Sequence, residues 1–411
     1  MQEENEKVLN KPTLMAEAES FITRHLQGDR IIWAIVIALS LLSILVVYSA
    51  TGNLAYRSAG GNTEHFMFRH TMLVLLAFSA MFVCHRIDYR YYSRLSRYAL
   101  LASIPMLIVA WQFGTTINEA SRWVTIPFIN YTFQPADLAK LALIANVAAM
   151  LSKRQKSIQE FNRAITPVLF WCGIVCALIG VTDWSSAALL FMTCMLLLFI
   201  GRVPVRYLGM MLVIGAMAGS FAFTFGQRSN TVSSRLQSYL SEDKLPLQAE
   251  QSFIAIATGG FAGKGAGKST QRNFLPHSYS DFIFAIIVEE YGLLGALSII
   301  VAYLTLLYRG MVAVARSERA FGGLLAAGLT FSLVLQAFVH MAVTVGLLPI
   351  TGLPLPLLSM GGTSLLFTGI SVGMVLSVSR SQDVQVAESG SNGNGAVRRN
   401  MPRKAFGGSQ V

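Results

Sequence analysis

The most informative stretch of this chain is Leu275-Pro276-His277-Ser278-Tyr279-Ser280-Asp281-Phe282-Ile283-Phe284-Ala285. Within it, a long polar loop meets a very apolar segment. The junction places Asp281 where a membrane-spanning segment should begin. An acid at the rim of a membrane costs free energy unless it is solvated, paired or used, so such a residue is a functional candidate. Asp281 is therefore the first candidate for chemistry.

The composition is that of an integral membrane protein. The 411 residues are 54% hydrophobic and 13% charged, whereas soluble domains carry about 25% charged residues. A helix needs roughly 20 apolar residues to cross a bilayer. The sequence predicts an all-α protein with about ten transmembrane helices, at 31–50, 66–84, 97–113, 135–151, 165–181, 185–201, 207–226, 282–308, 321–346 and 355–379.

The Lys and Arg residues predict the orientation. The termini and the loops on one side of the membrane hold 22 of the 32 basic residues, whereas the short loops on the other side hold only Arg57 and Arg122. Basic residues concentrate on the cytoplasmic side, so both termini should be cytoplasmic. The loop 227–281, between the seventh and eighth helices, should be extracytoplasmic, because long loops cross the membrane regardless of their charge.

Three regions follow from this pattern. Residues 1–30 form a cytoplasmic arm, in which 14–28 has helical spacing and favours either a short interfacial helix or a merely tethered segment. Residues 31–380 form the membrane domain. Residues 381–411 are rich in Ser, Gly, Asn and Gln and are expected to be disordered.

Several functions are disfavoured by the sequence. No basic cluster has interleaved aromatic residues, which argues against nucleic-acid binding. The four cysteines lie in apolar segments without an accompanying His or second CxxC, so neither a disulfide framework nor a metal site is predicted. The Gly-rich stretch 259–269 nearly matches a nucleotide-binding P-loop, but Ala262 stands where its first Gly belongs and no strand precedes it.

Five polar clusters fall on the predicted extracytoplasmic side. They are Arg69, the segment Asn118–Trp123, the segment Gln134–Lys140, the segment Thr182–Ser186 and the loop that ends at Asp281. Their shared side predicts one polar cavity that opens outward within the helical bundle.

The roles of four residues in these clusters stay open. Asp137 and Lys140 share a helix face at positions i and i+3, either as an internal ion pair or with Lys140 as a cation for phosphate. Asp183 is either the N-cap of the sixth span or part of the cavity. Arg122 either binds an anionic headgroup or anchors the membrane interface.

The loop and the later helices hold further candidates. The mobile Gly-rich stretch that contains Lys264 could approach a phosphate with its backbone N–H groups. Glu289 and Glu290 are either a proton relay or, as we favour, acceptors for loop amides. The Pro- and Gly-rich segment 346–364 predicts a discontinuous helix with an architectural role.

Together these clusters resemble the SEDS family of membrane proteins. The resemblance covers about 31–380 and rests on the order and spacing of Arg122-Trp123, Gln134-Pro135 with Lys140, Gly263-Lys264-Gly265, Leu275-Pro276 with 281–285, Glu289-Glu290-Tyr291-Gly292, and 348–364. The sequence departs from the family pattern at Glu119, Asp137, His277, Tyr279 and Met360, and only Asp183 remains of a Gln-Pro-Asp-x-Gly-Thr motif.

The resemblance implies a SEDS-type bundle with a glycosyltransferase activity that builds glycan strands from lipid II, with Asp281 as the base on the acceptor hydroxyl. It implies that Arg69, Arg122, Lys140, a loop lysine such as Lys264, or a divalent cation (Mg²⁺ or Mn²⁺) neutralises the diphosphate leaving group; no cofactor is certain. The implied partners are a class B penicillin-binding protein and other membrane proteins of the division complex.

The sequence of residues Ala120–Trp123 and the long N-terminal arm favour a division-type protein of the inner membrane at the septum. An elongation-type polymerase, a lipid II flippase and a non-catalytic scaffold of the division complex are the alternatives. A flippase should show inverted repeats and a site at the membrane midplane, whereas this sequence shows no repeat and its charges cluster at one face.

Overall fold

The computed structural model describes residues 27–52, 63–117, 120–126, 131–161, 165–225, 239 and 246–399. Within these residues the fold consists of α-helices and one small antiparallel sheet. The helices are α1 Arg30–Ala50, α2 Thr63–Arg86, α3 Tyr89–Phe113, α4 Pro135–Lys153, α5 Thr166–Thr182, α6 Trp184–Ile200, α7 Val205–Phe225, α8 Leu247–Gly259, α9 Ile283–Arg316, α10 Ala320–Thr344 and α11 Thr363–Arg399. The strands are β1 Thr115–Ile117, β2 Ala120–Ile126 and β3 Tyr131–Phe133.

The prediction of an all-α membrane bundle is confirmed. Seven of the described helices are long and apolar enough to cross a membrane, and α5, α6 and α7 are shorter apolar helices. Their positions follow the ten predicted spans. The sequence pattern did not predict helix α8, which lies within the loop 227–281, or the three-stranded sheet between α3 and α4.

Acidic residues and proline define several helix starts. Asp29 accepts hydrogen bonds from the backbone N–H groups of Ile31 and Ile32 at the start of α1, and Asp88 does the same for Arg90 at the start of α3. Pro135 occupies the first turn of α4, where its missing N–H costs nothing. These caps satisfy N–H groups that have no partner within the helix.

The core of the bundle lies among the later helices. Helices α4, α9, α10 and α11 are mostly buried by protein, whereas α2 and α3 bury only a minor part of their surface. Helix α11 packs closely on α2, because a Cβ atom at Gly369 would lie 2.4 Å from the backbone oxygen of Ala77. Small residues that permit such approach are typical of helix packing in membranes.

Helix α9 is interrupted at Gly292, whose φ of 67° and ψ of −162° are not helical. The Gly-rich loop fills the break: the backbone N–H groups of Lys264 and Gly265 each lie 2.9 Å from the backbone oxygens of Glu289 and Glu290, respectively, and that of Leu293 lies 3.0 Å from the oxygen of Gly260. The loop therefore satisfies the backbone groups that the broken helix leaves open.

Two boundaries at the end of the chain differ from prediction. Helix α11 begins at Thr363 rather than at 355, because Pro354, Pro356 and the adjacent glycines favour a non-helical segment. The same helix continues to Arg399, 20 residues past the predicted end of the span at 379, and the disordered tail at 381–411 stays a prediction. Extending an existing helix is easier than nucleating a new one, and the next proline is Pro402.

The predicted interfacial helix at 14–28 falls almost entirely outside the described residues. The described part of the N-terminal arm, residues 27–29, is bound to the bundle. Arg309 of α9 pairs with Asp29 at 2.6 Å, and His85 of α2 lies 2.7 Å from the backbone oxygen of Gln27. Sequence reasoning did not predict these contacts.

Candidate active site

Asp281 lies in a turn directly before α9. Its backbone N–H donates to the backbone oxygen of His277 at 3.0 Å, and the turn includes a left-handed φ of 55° at His277. The Ser280 hydroxyl donates to Oδ1 of Asp281 at 2.7 Å. The carboxylate is half-buried at the point where the sequence placed it, between the polar loop and the apolar helix.

The Pro-rich segment between α10 and α11 packs against this turn. The N–H of Met360 donates to the backbone oxygen of Tyr279 at 3.0 Å. The Ser359 hydroxyl donates to the backbone oxygen of Ser280 at 2.7 Å. A Cβ atom at Gly352 would lie 3.6 Å from Oδ2 of Asp281. The segment is therefore architectural, as predicted, and it also forms one wall of the site.

His340 on α10 is a neighbour of the site that sequence reasoning missed. Its Nδ1 lies 2.7 Å from the backbone oxygen of Leu353, so Nδ1 carries the proton in this contact. His340 also interacts electrostatically with Asp281. One turn earlier, Gln336 donates to the backbone oxygen of Pro354 at 2.8 Å. The available signal was this pair of polar residues, four apart, in an otherwise apolar helix.

Arg69 and Asp281 act on the same side chain. Burial raises the pKa of Tyr279, the Asp281 carboxylate raises it further, and the Arg69 guanidinium lowers it. The phenol therefore stays neutral at physiological pH. Its hydroxyl lies 3.5 Å from Nδ1 of His277. Arg69 of α2 and Asp281 of the turn thus act electrostatically on Tyr279 in opposite directions.

Asp137 and Lys140 form the predicted pair on α4. Their Oδ1 and Nζ atoms lie 2.8 Å apart, and their side chains are 5% and 13% exposed. Both line a cavity of about 40 Å³ between α4, α10 and α11, with Gln336, Ser364, Thr368 and Ser371 among its walls. Oδ2 of Asp137 is buried and has no hydrogen-bond partner among the described residues. The pair is thus largely buried, and one carboxylate oxygen of Asp137 has no hydrogen bond from the described residues.

Lys264 is engaged by Glu289, a contact that differs from its predicted role. Its Nζ lies 2.6 Å from Oε1 of Glu289 and 3.0 Å from the hydroxyl of Thr270. Glu289 also accepts from the backbone N–H groups of Thr270 and Gln271. The interpretation of Glu289 as an acceptor for loop amides is confirmed, and Lys264 neutralises this buried acid.

Asp183 is the N-cap of α6. Its Oδ1 accepts from the backbone N–H of Ser186 at 3.2 Å, and its Oδ2 accepts from the Ser186 hydroxyl at 2.8 Å. Asp183 is 3% exposed, and it is not among the residues that line the cavity around Lys140. Of the two roles left open by the sequence, the structure shows the cap.

Two further predictions concern ligands of the site: a contact from Arg122 and a divalent cation. Arg122 belongs to β2, but its side chain lies outside the described residues, as do Asn118 and Glu119. No group of three or more His, Cys, Asp or Glu side chains in the described part of the chain could hold a metal ion. The described residues therefore do not form a resident metal site of their own.

Known structures support this fold. One similar structure is a chain of a peptidoglycan synthase complex that was solved to study the coordination of polymerization and crosslinking. It superimposes with a TM-score of 0.70 at 24% identity, and the match covers 86% of this chain and 98% of that one. The rod shape determining protein RodA of Thermus thermophilus gives a TM-score of 0.63 at 23% identity, covering 86% and 97%. At these identities the likeness establishes the fold.

Sequence relatives are closer. The probable peptidoglycan glycosyltransferase FtsW of Geobacter sp. (strain M18) is 33% identical over 362 residues, which are 87% of this chain and 98% of that protein. The FtsW of Alkalilimnicola ehrlichii, with the same description, is 33% identical over 367 residues, 86% and 90% of the two chains. Residues 29–384 match the family described as cell cycle protein, and the chain therefore belongs to this family of FtsW, RodA and SpoVE proteins.

Proposed function

We propose that this multi-pass membrane protein is a peptidoglycan glycosyltransferase and that Asp281 is its general base. One observation carries the assignment of the base: a half-buried carboxylate stands at the mouth of the bundle with one oxygen held by Ser280 and the other facing the Gly352 backbone. Family membership and the names of the relatives support the reaction class. The substrate of this proposal is lipid II.

The chemistry needs a single base. Lipid II carries its sugar on an α-linked undecaprenyl diphosphate, and the glycan product has a β linkage, so the transfer inverts the anomeric carbon. Inversion in one displacement requires a base for the acceptor hydroxyl and a stabilised leaving group. Asp281 accepts the proton while the diphosphate departs with the electron pair of the broken bond.

The leaving group needs positive charge. Among the described residues, Arg69 and Lys140 are cations that suit this role, because Arg69 interacts electrostatically with Tyr279 and Lys140 lines the cavity. Cations preorganised around a developing negative charge stabilise a transition state strongly. Arg122 remains a proposed contact, since only its backbone position is described.

A divalent cation is proposed only as an addition to the substrate. The described residues supply no metal-ligating cluster, so Mg²⁺ or Mn²⁺ at this site would be held mainly by diphosphate oxygens and water. Titration of the purified enzyme with EDTA, followed by readdition of each metal, measures this dependence. No step above is assigned to a metal.

The decisive test replaces Asp281 by Asn. The variant keeps the size of the side chain and removes the base, so lipid II polymerisation by purified protein with its partner should be abolished while expression and partner binding persist. Glu250→Gln, which alters an exposed acid on α8, is the matched control and should retain activity. Polymer formation by Asp281→Asn near the wild-type rate would refute the assignment.

The cellular setting is part of the proposal. The Lys and Arg distribution supports an inner-membrane protein with both termini in the cytoplasm. The solved synthase complex supports a class B penicillin-binding protein as the partner transpeptidase. The FtsW relatives support a role in septal synthesis with other division proteins rather than in elongation.

Transport of lipid II is the alternative function for a polar cavity. A transporter is expected to carry inverted repeats and a site at the membrane midplane, whereas this sequence shows no repeat and its charges cluster at one face. Measurement of lipid II translocation in proteoliposomes separates the two functions.

A further inference from the structure

Helix α1 ends with backbone oxygens that receive hydrogen bonds from a distant part of the chain. The last four C=O groups of a helix have no partner within it, and the last turn of α1 holds no basic residue of its own. Nη1 of Arg272 lies 3.1 Å from the backbone oxygen of Ser49, and the Ser278 hydroxyl donates to that of Ala50 at 3.2 Å. The loop that leads to Asp281 therefore caps α1, and it places a cation where the helix dipole favours one.

The hydroxyl of Ser49 joins this cap to a buried acid. It donates to Oε1 of Glu290 and accepts from Nη1 of Arg272 at 3.2 Å. The backbone N–H of Ser269 lies 3.4 Å from the same Glu290 oxygen. Arg272, Ser49 and Glu290 thus form one network, to which the loop, α1 and α9 each contribute a member.

Each charge of this network lacks part of its hydrogen bonding. Oε2 of Glu290 and Nε of Arg272 are both buried and have no hydrogen-bond partner among the described residues. Glu290 is 1% exposed, so little bulk water reaches its carboxylate. Removing one partner of a buried charge pair leaves the other charge uncompensated, which is strongly destabilising. Each group therefore depends on the opposite charge of the other, which reaches it through Ser49.

A series of turns connects the network to Asp281. The N–H of Leu275 donates to the backbone oxygen of Gln271 at 2.9 Å, and the N–H groups of Ser280 and Asp281 each lie 3.0 Å from the backbone oxygen of His277. Leu275 is 4% exposed and packs in the core. The segment is thus folded along its length, so a displacement where it meets α1 also displaces the turn that carries the carboxylate.

We propose that Arg272 and Glu290 are positioning residues, which orient the carboxylate of Asp281 by fixing its loop to the end of α1 through Ser49. The inference rests on the proposed function and deepens it. It concerns groups that act on the reaction through the loop and not by contact with the substrate. A network that only stabilises the fold makes a different prediction for a variant that lacks both charges.

The decisive variant removes both charges at once. Arg272→Met and Glu290→Gln each leave the opposite charge buried without its partner, so each should lower the melting temperature. The double variant leaves no unpaired charge, and its melting temperature should lie above the value expected from the sum of the two single changes. Its turnover should not recover in the same way, because the guanidinium that binds the end of α1 is still missing.

The size of the defect follows from the geometry of the reaction. Displacing a reacting group by about 1 Å costs on the order of 100-fold in rate. We expect the folded double variant to lose roughly 10- to 100-fold in kcat for lipid II polymerisation, with a KM near the wild-type value. The controls are Lys268→Met and Glu250→Gln, which remove an exposed cation of the same loop and an exposed acid of α8.

Ser49→Ala keeps the test decisive where the charge variants fold poorly. It retains both charges and removes only the hydroxyl that bridges them, so it should show a smaller loss of kcat at unchanged KM. Hydrogen exchange reports the loop independently of turnover. The amides of Leu275, Ser280 and Asp281 should exchange faster in the double variant and in Ser49→Ala, whereas those of α10 should exchange as in the wild-type protein.

The outcomes separate this inference from the proposed function. Wild-type polymerisation of lipid II by Asp281→Asn would overturn the proposed function. If Asp281→Asn is inactive, the proposed function stands, and the variants of the network decide the positioning role alone. That role is overturned if the folded double variant and Ser49→Ala have the kcat of the controls, or if their defect lies in KM. A low kcat with faster exchange confined to the loop supports it.

Discussion

Ser359 donates a hydrogen bond from its hydroxyl to the backbone oxygen of Ser280 across 2.7 Å, although 79 residues separate them in the sequence. The same hydroxyl accepts from the backbone N–H of Leu355 at 2.8 Å. This buried side chain thus joins the Pro-rich segment to the turn that carries Asp281. The position of Gly352 relative to the carboxylate depends on that junction.

Ser359→Ala should therefore weaken both the fold and the activity. The substitution leaves the oxygen of Ser280 and the N–H of Leu355 without their partner, and an unsatisfied buried group costs about 1–3 kcal/mol. The control is Ser298→Ala, which removes an exposed hydroxyl bonded only within its own helix. Thermal unfolding and polymerisation are measured on both. Equal melting temperatures for the two variants would contradict the role of Ser359.

Glu289 should be the most sensitive residue of the loop–helix junction. It is fully buried and accepts from Lys264, Ser269, Thr270 and Gln271. Glu289→Gln leaves Lys264 without its charge partner. Because the Lys264 side chain is 28% exposed, the free energy of unfolding should fall by less than the roughly 3–5 kcal/mol of a fully buried pair. Hydrogen exchange should accelerate across 264–272, and the melting temperature should fall.

The double variant Glu289→Gln with Lys264→Met tests whether the pair is the cause. The double variant should lose less stability than the sum of the two single changes. Each single change leaves one charge without its partner, whereas the double variant leaves no unpaired charge. Lys268→Met, at an exposed position of the same loop, should change little. Additive effects in the double variant would show that the pair itself contributes nothing.

The sequence predicted those features that depend on local pattern. The ten apolar spans follow from segment length and hydropathy, and Asp281 at the loop–helix junction follows from the abrupt change in polarity. The amides that meet Glu289 were also expected. The first two depend on residues near one another in the chain or on a membrane that sorts residues by polarity, and the third joins α9 to the loop that precedes it, 18 and 19 residues earlier.

What the sequence did not predict depends on distant contacts. Gly352, His340 and Ser359 come near the turn that carries Asp281 only after α9, α10 and the Pro-rich segment pack, and no local pattern records that packing. Asp183 is a different case, because an acid before a helix suits both a cap and a cavity. The structure shows the local hydrogen bonds of the cap, from Ser186 to Asp183.

The orientation of the bundle can be checked by labelling. Phe274 is 63% exposed in the loop before Asp281, and Arg90 is exposed near the start of α3. In a variant with its four cysteines replaced by alanine, Phe274→Cys should react with an impermeant maleimide in cells whose outer barrier is opened. Arg90→Cys should react only after lysis. The reverse pattern would place the proposed active site in the cytoplasm.

Lys140 should act through its charge. Lys140→Met keeps the length of the side chain and removes the ammonium, which leaves Asp137 buried with neither oxygen paired among the described residues. If the pair is only structural, unfolding should become easier by roughly 3–5 kcal/mol, and activity should fall only with the amount of folded protein. We expect instead that activity per folded molecule collapses, since the diphosphate loses a cation that stabilises its developing charge.

Lys153→Met controls for the loss of a lysine from the same helix, because Lys153 is exposed at its far end. Asp137→Asn separates the partners: it removes the acid but leaves the ammonium free to meet phosphate, so it should retain more activity than Lys140→Met. Melting temperature and specific activity must be measured on the same preparation. Full specific activity in folded Lys140→Met would remove Lys140 from the site and leave Arg69 as the described cation for the leaving group.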